Sequence, residues 1–326
     1  MLLVLRRMVA ACAGVMALTT PGAVAADTFP SKPLRIVVPY PPGGVADTVT
    51  RKLAMELGNK LGQSVIVENR AGGMQIPATE NVVRAAPDGY SLLLASTTNM
   101  VLNAVNGQPL SYQPRQDIVP IVRFFNTPLF LIVPVGLPVH SVEELQAYAR
   151  KNDGRLNFAS VGPGTTTHLA GELFKLKTGL DLVHIPYRGS GPALLGLISN
   201  ETQLMFDGGT SALAQVSAGK ARVLAMTGPS RASTLPDIPT MMEEGVKDYE
   251  MTAWWGIVAP KGTPQPIVDK LNAAINEIIA QDAFSAPFAA QGVQMDGGST
   301  QDFQRFIDTE TEKYTDLIKQ SGIRFN

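Results

Sequence analysis

The sequence predicts an α/β protein of two lobes, each a doubly wound, mostly parallel sheet with flanking helices. Three observations carry that expectation. Apolar runs of strand length alternate with amphipathic runs of helix length through residues 34–95, and the alternation restarts at residue 141. Each half also holds one glycine-rich turn between a strand and a helix. A chain of 326 residues that is 45% apolar supports two ordinary domains rather than disorder.

The first strand is Leu34-Arg-Ile-Val-Val38, and Pro39-Tyr40-Pro41-Pro42-Gly43-Gly44 follows it. A helix then runs from about Ala46 to Leu57, with Val49, Leu53 and Leu57 at i, i+4, i+8, Asp47 or Thr48 in its first turn, and Gly58 as its stop. Gly43 and Gly44 let a ligand approach the main chain. The unpaired first-turn amides and the helix dipole favour an anion there. The same glycines also suit an ordinary turn that needs them only for its dihedrals. Next come a strand at 64–68, a helix near 77–86, the turn Pro87-Asp88-Gly89 and a strand at 91–95. Beyond Ser96-Thr97-Thr98-Asn99, a proline-rich region leads into the apolar stretch from Ile118 to Val135, which reads as a strand pair crossing between lobes.

In the second half, Ser141-Val-Glu-Glu144 is a capping box opening a helix to about Arg150, and Asp153-Gly154 turns into the strand Leu156–Ser160. Val161-Gly-Pro-Gly-Thr-Thr-Thr167 follows, then a helix from His168 to about Lys177. This turn is the counterpart of the first, so the pair describes a cleft that grips an anion from both sides. A strand at 182–185, the turn Pro186-Tyr187-Arg188-Gly189, a helix from Pro192 and a strand at 203–207 continue the alternation. Asp207, at that strand's carboxyl end, either lines the cleft or caps the helix starting near Ser211. The strand 223–226 completes the lobe, and 249–259 reads as the return crossing, with Trp254 and Trp255 as core. Helices from Pro266 to Ala280 and over 300–320 close the chain. One lobe is therefore expected to comprise 26–125 plus 251–326, and the other 126–250.

Residues 1–25 have the pattern of an export leader: Arg6 and Arg7, an apolar stretch from Met8 to Leu18, Pro21-Gly22, then Ala23-Val24-Ala25 as a cleavage site. Its removal places the protein in the periplasm. Val9-Ala10-Ala11-Cys12 loosely resembles a lipobox, but Cys12 sits only a few residues past Arg7 and the apolar run continues beyond it, so lipidation is not expected. Cys12 is the chain's single cysteine, and with it gone the processed protein has neither disulfides nor thiolate chemistry. Loss of Arg6 and Arg7 lowers the basic count from 27 to 25 against 28 acidic residues, so the net charge moves from −1 to −3. That balance argues against nucleic acid and anionic membranes as partners.

Enzyme motifs are not found. Gly189-Ser190-Gly191 lacks the outer glycine of a nucleophile elbow, and His140, His168 and His184 have no i, i+4 partner of the kind a metal site uses. His168 reads as a structural or capping residue, with a contact to Ser160 across the turn left open. Neither glycine-rich turn continues as a phosphate loop or a dinucleotide fingerprint, so no cofactor is expected.

The string from Phe29 to Gly44, followed by Asp47, resembles the opening of the Bug (TctC-type) extracytoplasmic solute receptors of tripartite tricarboxylate transport systems. Val67-Glu-Asn-Arg70, Ala85-Ala-Pro-Asp-Gly-Tyr90, Asn157-Phe-Ala-Ser160, His168-Leu-Ala-Gly-Glu-Leu-Phe174, His184-Ile-Pro-Tyr-Arg-Gly189, Gln203-Leu-Met-Phe-Asp207, Leu235-Pro-Asp-Ile-Pro-Thr240 and Ala259-Pro-Lys-Gly-Thr-Pro264 fall in that family's order and spacing. The resemblance implies a monomeric periplasmic binding protein of the Venus flytrap, type II-like kind. It would bind a small carboxylate through main-chain amides and ordered waters, and pass it to membrane permease subunits or, alternatively, signal to a sensor kinase. Carried over by position, the contacts are Tyr40, Gly43, Gly44, Val45 and Asp47 in the first lobe and Ser160, Gly162, Gly164, Thr165, Thr166 and Thr167 in the second, with Asp207 behind them. The lobes would hinge near 124–128 and 250–254. One stretch departs: where the family has a Pro-Gly-Ala-Gly-Gly-like run bordering the cleft, this chain has Ala71-Gly-Gly-Met-Gln-Ile-Pro77, with bulk at Met74 and Gln75.

Overall fold

The computed structural model describes residues 29–105, 110–151, 156–232, 234–289 and 292–322. The leader at 1–25, with Cys12, and the Asp153-Gly154 turn lie outside them.

In chain order the elements are β1 (Leu34–Val38), α1 (Val45–Leu61), β2 (Val65–Asn69), α2 (Ile76–Val83), β3 (Ser91–Ser96), α3 (Asn103–Val105), α4 (Pro114–Asp117) and β4 (Ile118–Pro134). There follow α5 (Val142–Lys151), β5 (Leu156–Ser160), α6 (Thr166–Thr178), β6 (Leu182–Pro186), α7 (Ser190–Ile198), β7 (Leu204–Gly208), α8 (Gly209–Ser217) and β8 (Ala221–Met226). The chain closes with β9 (Thr252–Pro260), α9 (Gln265–Ile279), α10 (Asp282–Ala289), β10 (Gln294–Met295) and α11 (Thr300–Ser321). A short 3₁₀ turn at Gly73–Gln75 precedes α2, and a wide π-type turn at Thr97–Leu102 follows β3.

β1 pairs in parallel with β2 and β3, and β5 pairs in parallel with β6 and β7, so each half carries the parallel unit expected of its strand–helix alternation. The strands joining the halves are antiparallel. The stretch from Ile118 to Val135, expected as a strand pair, is one strand: β4 pairs with β9 through residues 118–128 and with β7 and β8 through 129–134. Asn126 and Pro128 do not reverse it, because the return crossing β9 pairs straight through them and satisfies the backbone.

The first core lies between this sheet and α1 and α9, where Val49, Leu53 and Leu57 meet Phe124, Phe125, Val268 and Leu271. Each such fully buried side chain contributes about 1.5–3 kcal/mol. The helix itself runs past Gly58 to Leu61. Gly62, at φ 70°, caps it by donating to the Gly58 carbonyl at 3.0 Å. Gly58 serves a different need, since a Cβ there would stand 3.2 Å from the Gln63 carbonyl oxygen. On the far side, α11 packs against α6, and a second core continues from Trp254 and Phe303 through Tyr249 to Phe206. Trp254 donates to Glu310 at 3.1 Å and is wholly buried, as expected.

Candidate functional site

A cleft of about 440 Å³ opens where the carboxyl ends of the parallel strands face one another across the crossing strands. Its first wall is the turn after β1. Gly43 sits at φ +93°, a region that favours glycine, whereas Gly44 is the extended N-cap of α1 at φ −78° and ψ 170°. No heavy atom lies within 4 Å of a Cβ built on Gly44, so its backbone is bare toward the cleft. Gly43, Gly44, Val45 and Thr48 line this side. No side chain caps α1, which leaves the first-turn amides and the helix dipole for a guest.

Asp47 faces the other way. It is 3% exposed, and its carboxylate accepts the Gly43 amide at 2.9 Å, Arg51 Nε at 3.0 Å and Asn69 Nδ2 at 2.8 Å. Burial pushes its carboxyl up, but the bonds from Arg51, Gly43 and Asn69 outweigh that and hold it below the usual range. Asn69 also donates to the Tyr40 carbonyl at 3.1 Å, so Asp47 and Asn69 together fix the turn's shape from behind.

Trp255 lines the floor and is only 7% exposed. Its indole stacks on Phe125 with centroids 4.7 Å apart, and its Nε1 donates to the Tyr40 hydroxyl at 3.0 Å. Thus Trp254 is core and Trp255 is wall, as alternate residues of a strand on opposite faces must be. Thr127 and Leu129 of β4, with Ala253 and Val293, complete the floor.

The opposite wall comes from two strand-to-helix junctions. Ser190 opens α7, Asp207 and Gly208 end β7, and Ser211 lies in the first turn of α8. The Ser190 hydroxyl donates to one Asp207 oxygen at 2.8 Å and the Ser211 hydroxyl to the other at 2.6 Å. Asp207 thus lines the cleft but does not cap α8: the N-cap is Gly208, with no side-chain cap, and Asp207 reaches that helix only through the Ser211 hydroxyl. Burial raises its carboxyl pKa, against the lowering effect of Ser211, Ser190 and the Gly208 amide.

The second glycine-rich turn, Ser160–Thr167, stands outside this wall in the present conformation, and much of its polarity is turned inward. The Gly162 amide bonds Ser160 Oγ at 3.1 Å, the Gly164 amide bonds His168 Nδ1 at 3.1 Å, and the Val161 amide bonds Thr167 Oγ1 at 3.0 Å. Thr165 caps α6 and donates to the Gly162 carbonyl at 2.7 Å; Thr166 is the first residue of that helix. Ser160 meets His184, with Nε2 at 2.6 Å, rather than His168. The two imidazoles stack at 3.9 Å, with Phe158 alongside. Burial, the neighbouring His184 and Lys175 lower His168 to about 3, and burial and Lys175 lower His184 to about 4. The bond from the Gly164 amide requires a lone pair on His168 Nδ1, which a neutral ring supplies.

The 71–77 loop also stands back from the cleft. Gln75 is buried behind Tyr40, where its Oε1 accepts the Ser96 hydroxyl at 2.7 Å. Ser190 and Ser211 were legible as serines opening helices, yet sequence reasoning weighed Ser190 only as an enzyme nucleophile and Ser211 only as a helix start. Trp255 carried a usable signal in the period-two alternation.

Comparison with known proteins adds an independent line. The family described as "Tripartite tricarboxylate transporter family receptor" matches residues 49–323. The protein BugT of Bordetella pertussis is 34% identical over 302 residues, covering 92% of this chain and 93% of BugT. Among solved structures, R. palustris Rpa4515 with adipate superposes with a TM-score of 0.81 at 33% identity, covering 91% of this chain and 99% of its own. MatC from Rhodopseudomonas palustris with bound malate gives 0.76 at 28% identity, covering 89% and 100%.

Proposed function

The chain belongs to the tripartite tricarboxylate transporter receptor family, and from that premise we propose that it is an extracytoplasmic receptor that closes its lobes on a small carboxylate and presents it to a membrane permease. Proteins of this family are receptors, so the site binds and does not transform. The observation that carries the carboxylate reading is the uncapped start of α1, where the bare Gly44 backbone meets the cleft. The adipate and malate held by two structural relatives support the same ligand class.

In this reading the lobes are 26–125 with 251–326, and 126–250, and the leader at 1–25 sends the protein to the periplasm. No helix among the described residues is long and apolar enough to cross a membrane. The lobes hinge near 124–128 and 250–254. Thr227 sits between those segments: its amide donates to the Leu129 carbonyl at 2.9 Å, and its carbonyl accepts the Met251 amide at 3.0 Å. Closure brings the second wall, and with it the Ser160–Thr167 turn, toward a ligand seated on α1, driven by contacts that exist only when both lobes touch it. The family supports the permease as partner, whereas the sensor-kinase alternative has no such support.

The test is thermal unfolding of the processed protein, refolded to remove endogenous ligand, against mono-, di- and tricarboxylates and acidic amino acids. A ligand at a hundred times its Kd adds about 2.7 kcal/mol, a shift of several degrees. A shift confined to one chemical group names the substrate class. A flat panel overturns the carboxylate reading. Ligand-dependent retention of the protein by membranes holding the permease tests delivery.

A further inference from the structure

The side chains that line the cleft spend their hydrogens on the protein. A hydroxyl or an indole has one hydrogen to give, and a hydroxyl oxygen that has given it keeps only lone pairs. Thr48 donates to the Gly44 carbonyl at 3.0 Å, and Thr127 to the Pro128 carbonyl at 3.0 Å. The Trp255 indole N–H goes to the Tyr40 hydroxyl at 3.0 Å. Ser190 and Ser211 donate to Asp207, one to each carboxylate oxygen, at 2.8 Å and 2.6 Å. The other described residues of the lining are glycine or apolar, and none is lysine, arginine or histidine. Main-chain amides are therefore the donors that the cleft has left to offer.

The two ends of the cleft consequently ask for opposite chemistry. At the start of α1 the offer is N–H groups with no side-chain cap, which suits a carboxylate. At the far wall, Asp207 is 2% exposed and receives a hydroxyl on each oxygen, the pattern of an ionised group that only accepts. Ser190 and Ser211 are half-buried in front of it, so the wall shows a ligand their lone pairs with the Asp207 charge behind. A bare carboxylate pressed against that wall meets like charge and loses its water without a donor in return. A hydroxyl brings the hydrogen that the wall lacks, and an ammonium brings a countercharge as well.

We propose that the site selects a carboxylate that also carries a hydrogen-bond donor, a hydroxyl or an ammonium, with the carboxylate on α1 and the donor on the wall of Ser190, Asp207 and Ser211. This rests on the carboxylate reading of the cleft and narrows it to hydroxy and amino acids.

The experiment is calorimetric titration of the refolded, ligand-free protein with matched sets that share a skeleton. The sets are butyrate, 4-hydroxybutyrate and 4-aminobutyrate; succinate, malate and aspartate; and adipate with 2-aminoadipate. Butylamine serves as the amine without a carboxylate. In a set that fits the cleft, a donor-bearing acid is expected to bind at least about tenfold tighter than the bare one, because a site arranged around a hydroxyl or amine discriminates against the analogue lacking it. Asp207→Asn removes the charge and adds an amide donor in the same outline, so that ratio should fall to about threefold or less. Equal affinity for bare and donor-bearing acids overturns the inference and leaves the carboxylate reading standing. Butylamine binding as tightly as 4-aminobutyrate does the reverse, overturning the carboxylate end and leaving the donor wall. A protein blind to every acid overturns both. An unchanged ratio in folded Asp207→Asn also overturns the inference, and if that variant fails to fold, the wild-type ratio decides alone.

Discussion

The amide of Gly43 donates to the Asp47 carboxylate at 2.9 Å, so the turn spends one of its own donors on fixing its shape and leaves the next residue to the cleft. Gly44 then offers a bare backbone in a conformation any residue can adopt. Gly44→Val should therefore fold with unchanged Tm, while its branched side chain stands where a carboxylate would approach. Carboxylate affinity is expected to fall by more than tenfold, measured by calorimetry on whichever ligand shifts the wild-type Tm. Wild-type affinity in this variant would remove the α1 terminus from the site.

The stacked imidazoles of His168 and His184 predict acid sensitivity with a definite sign. Their folded-state values, about 3 and about 4, lie below the ordinary 6.5, chiefly through burial. The unfolded chain thus binds protons that the folded one refuses, and stability drops as pH falls from about 6.5 toward 4, levelling off below the folded values. The charged groups beside the pair are Glu172, with Oε1 3.8 Å from His168 Nε2, and Lys175, bonded to Glu172 at 3.2 Å. His184→Gln should flatten the decline of Tm between pH 6.5 and 4 relative to wild type. Identical slopes would mean that His184 already charges in the folded state.

How much of this was legible follows from which forces act along the chain and which act across it. The strand Leu156–Ser160 and the turn at Gly43-Gly44 are local, and both were read where they stand. The end of α1 was misplaced because Gly58 looks like a stop, and only the chain's turn back after Gly62, which brings the Gln63 carbonyl against it, shows why a glycine is needed inside that helix. The second wall was read only through Asp207: Ser190, 17 residues away, meets it through sheet order, whereas Ser211, 4 residues on, is a local neighbour that reads from sequence only as a helix start. Adjacent tryptophans carried the cue to their separate fates, since a strand sends neighbours to opposite faces.

Thr227 ties the two crossing segments by more than its backbone. Its Oγ1 accepts the Leu129 amide at 2.8 Å and donates to the Met251 carbonyl, and the residue is fully buried. Thr227→Val keeps the shape and leaves both groups without that partner, at a cost of about 1–3 kcal/mol in urea unfolding. Thr227→Ser should retain most of the stability. A Val variant as stable as wild type would show that the hydroxyl does not hold the crossings together.

Met74 and Gln75 share left-handed backbone, at φ 51° and φ 61°, and differ in what their side chains do. The Met74 carbonyl accepts Asn103 Nδ2 at 2.8 Å, a bond that survives any side-chain change. Met74→Gly removes the Cβ strain, worth roughly 1–2 kcal/mol, against about 0.5–1 kcal/mol of added chain entropy in the unfolded state. The half-buried thioether gives back part of the remainder. The expected result is stability equal to wild type or higher by up to about 1 kcal/mol, read by urea unfolding. A clear loss of stability would show that the thioether, rather than the Gln75 bonds, keeps this loop in its strained form.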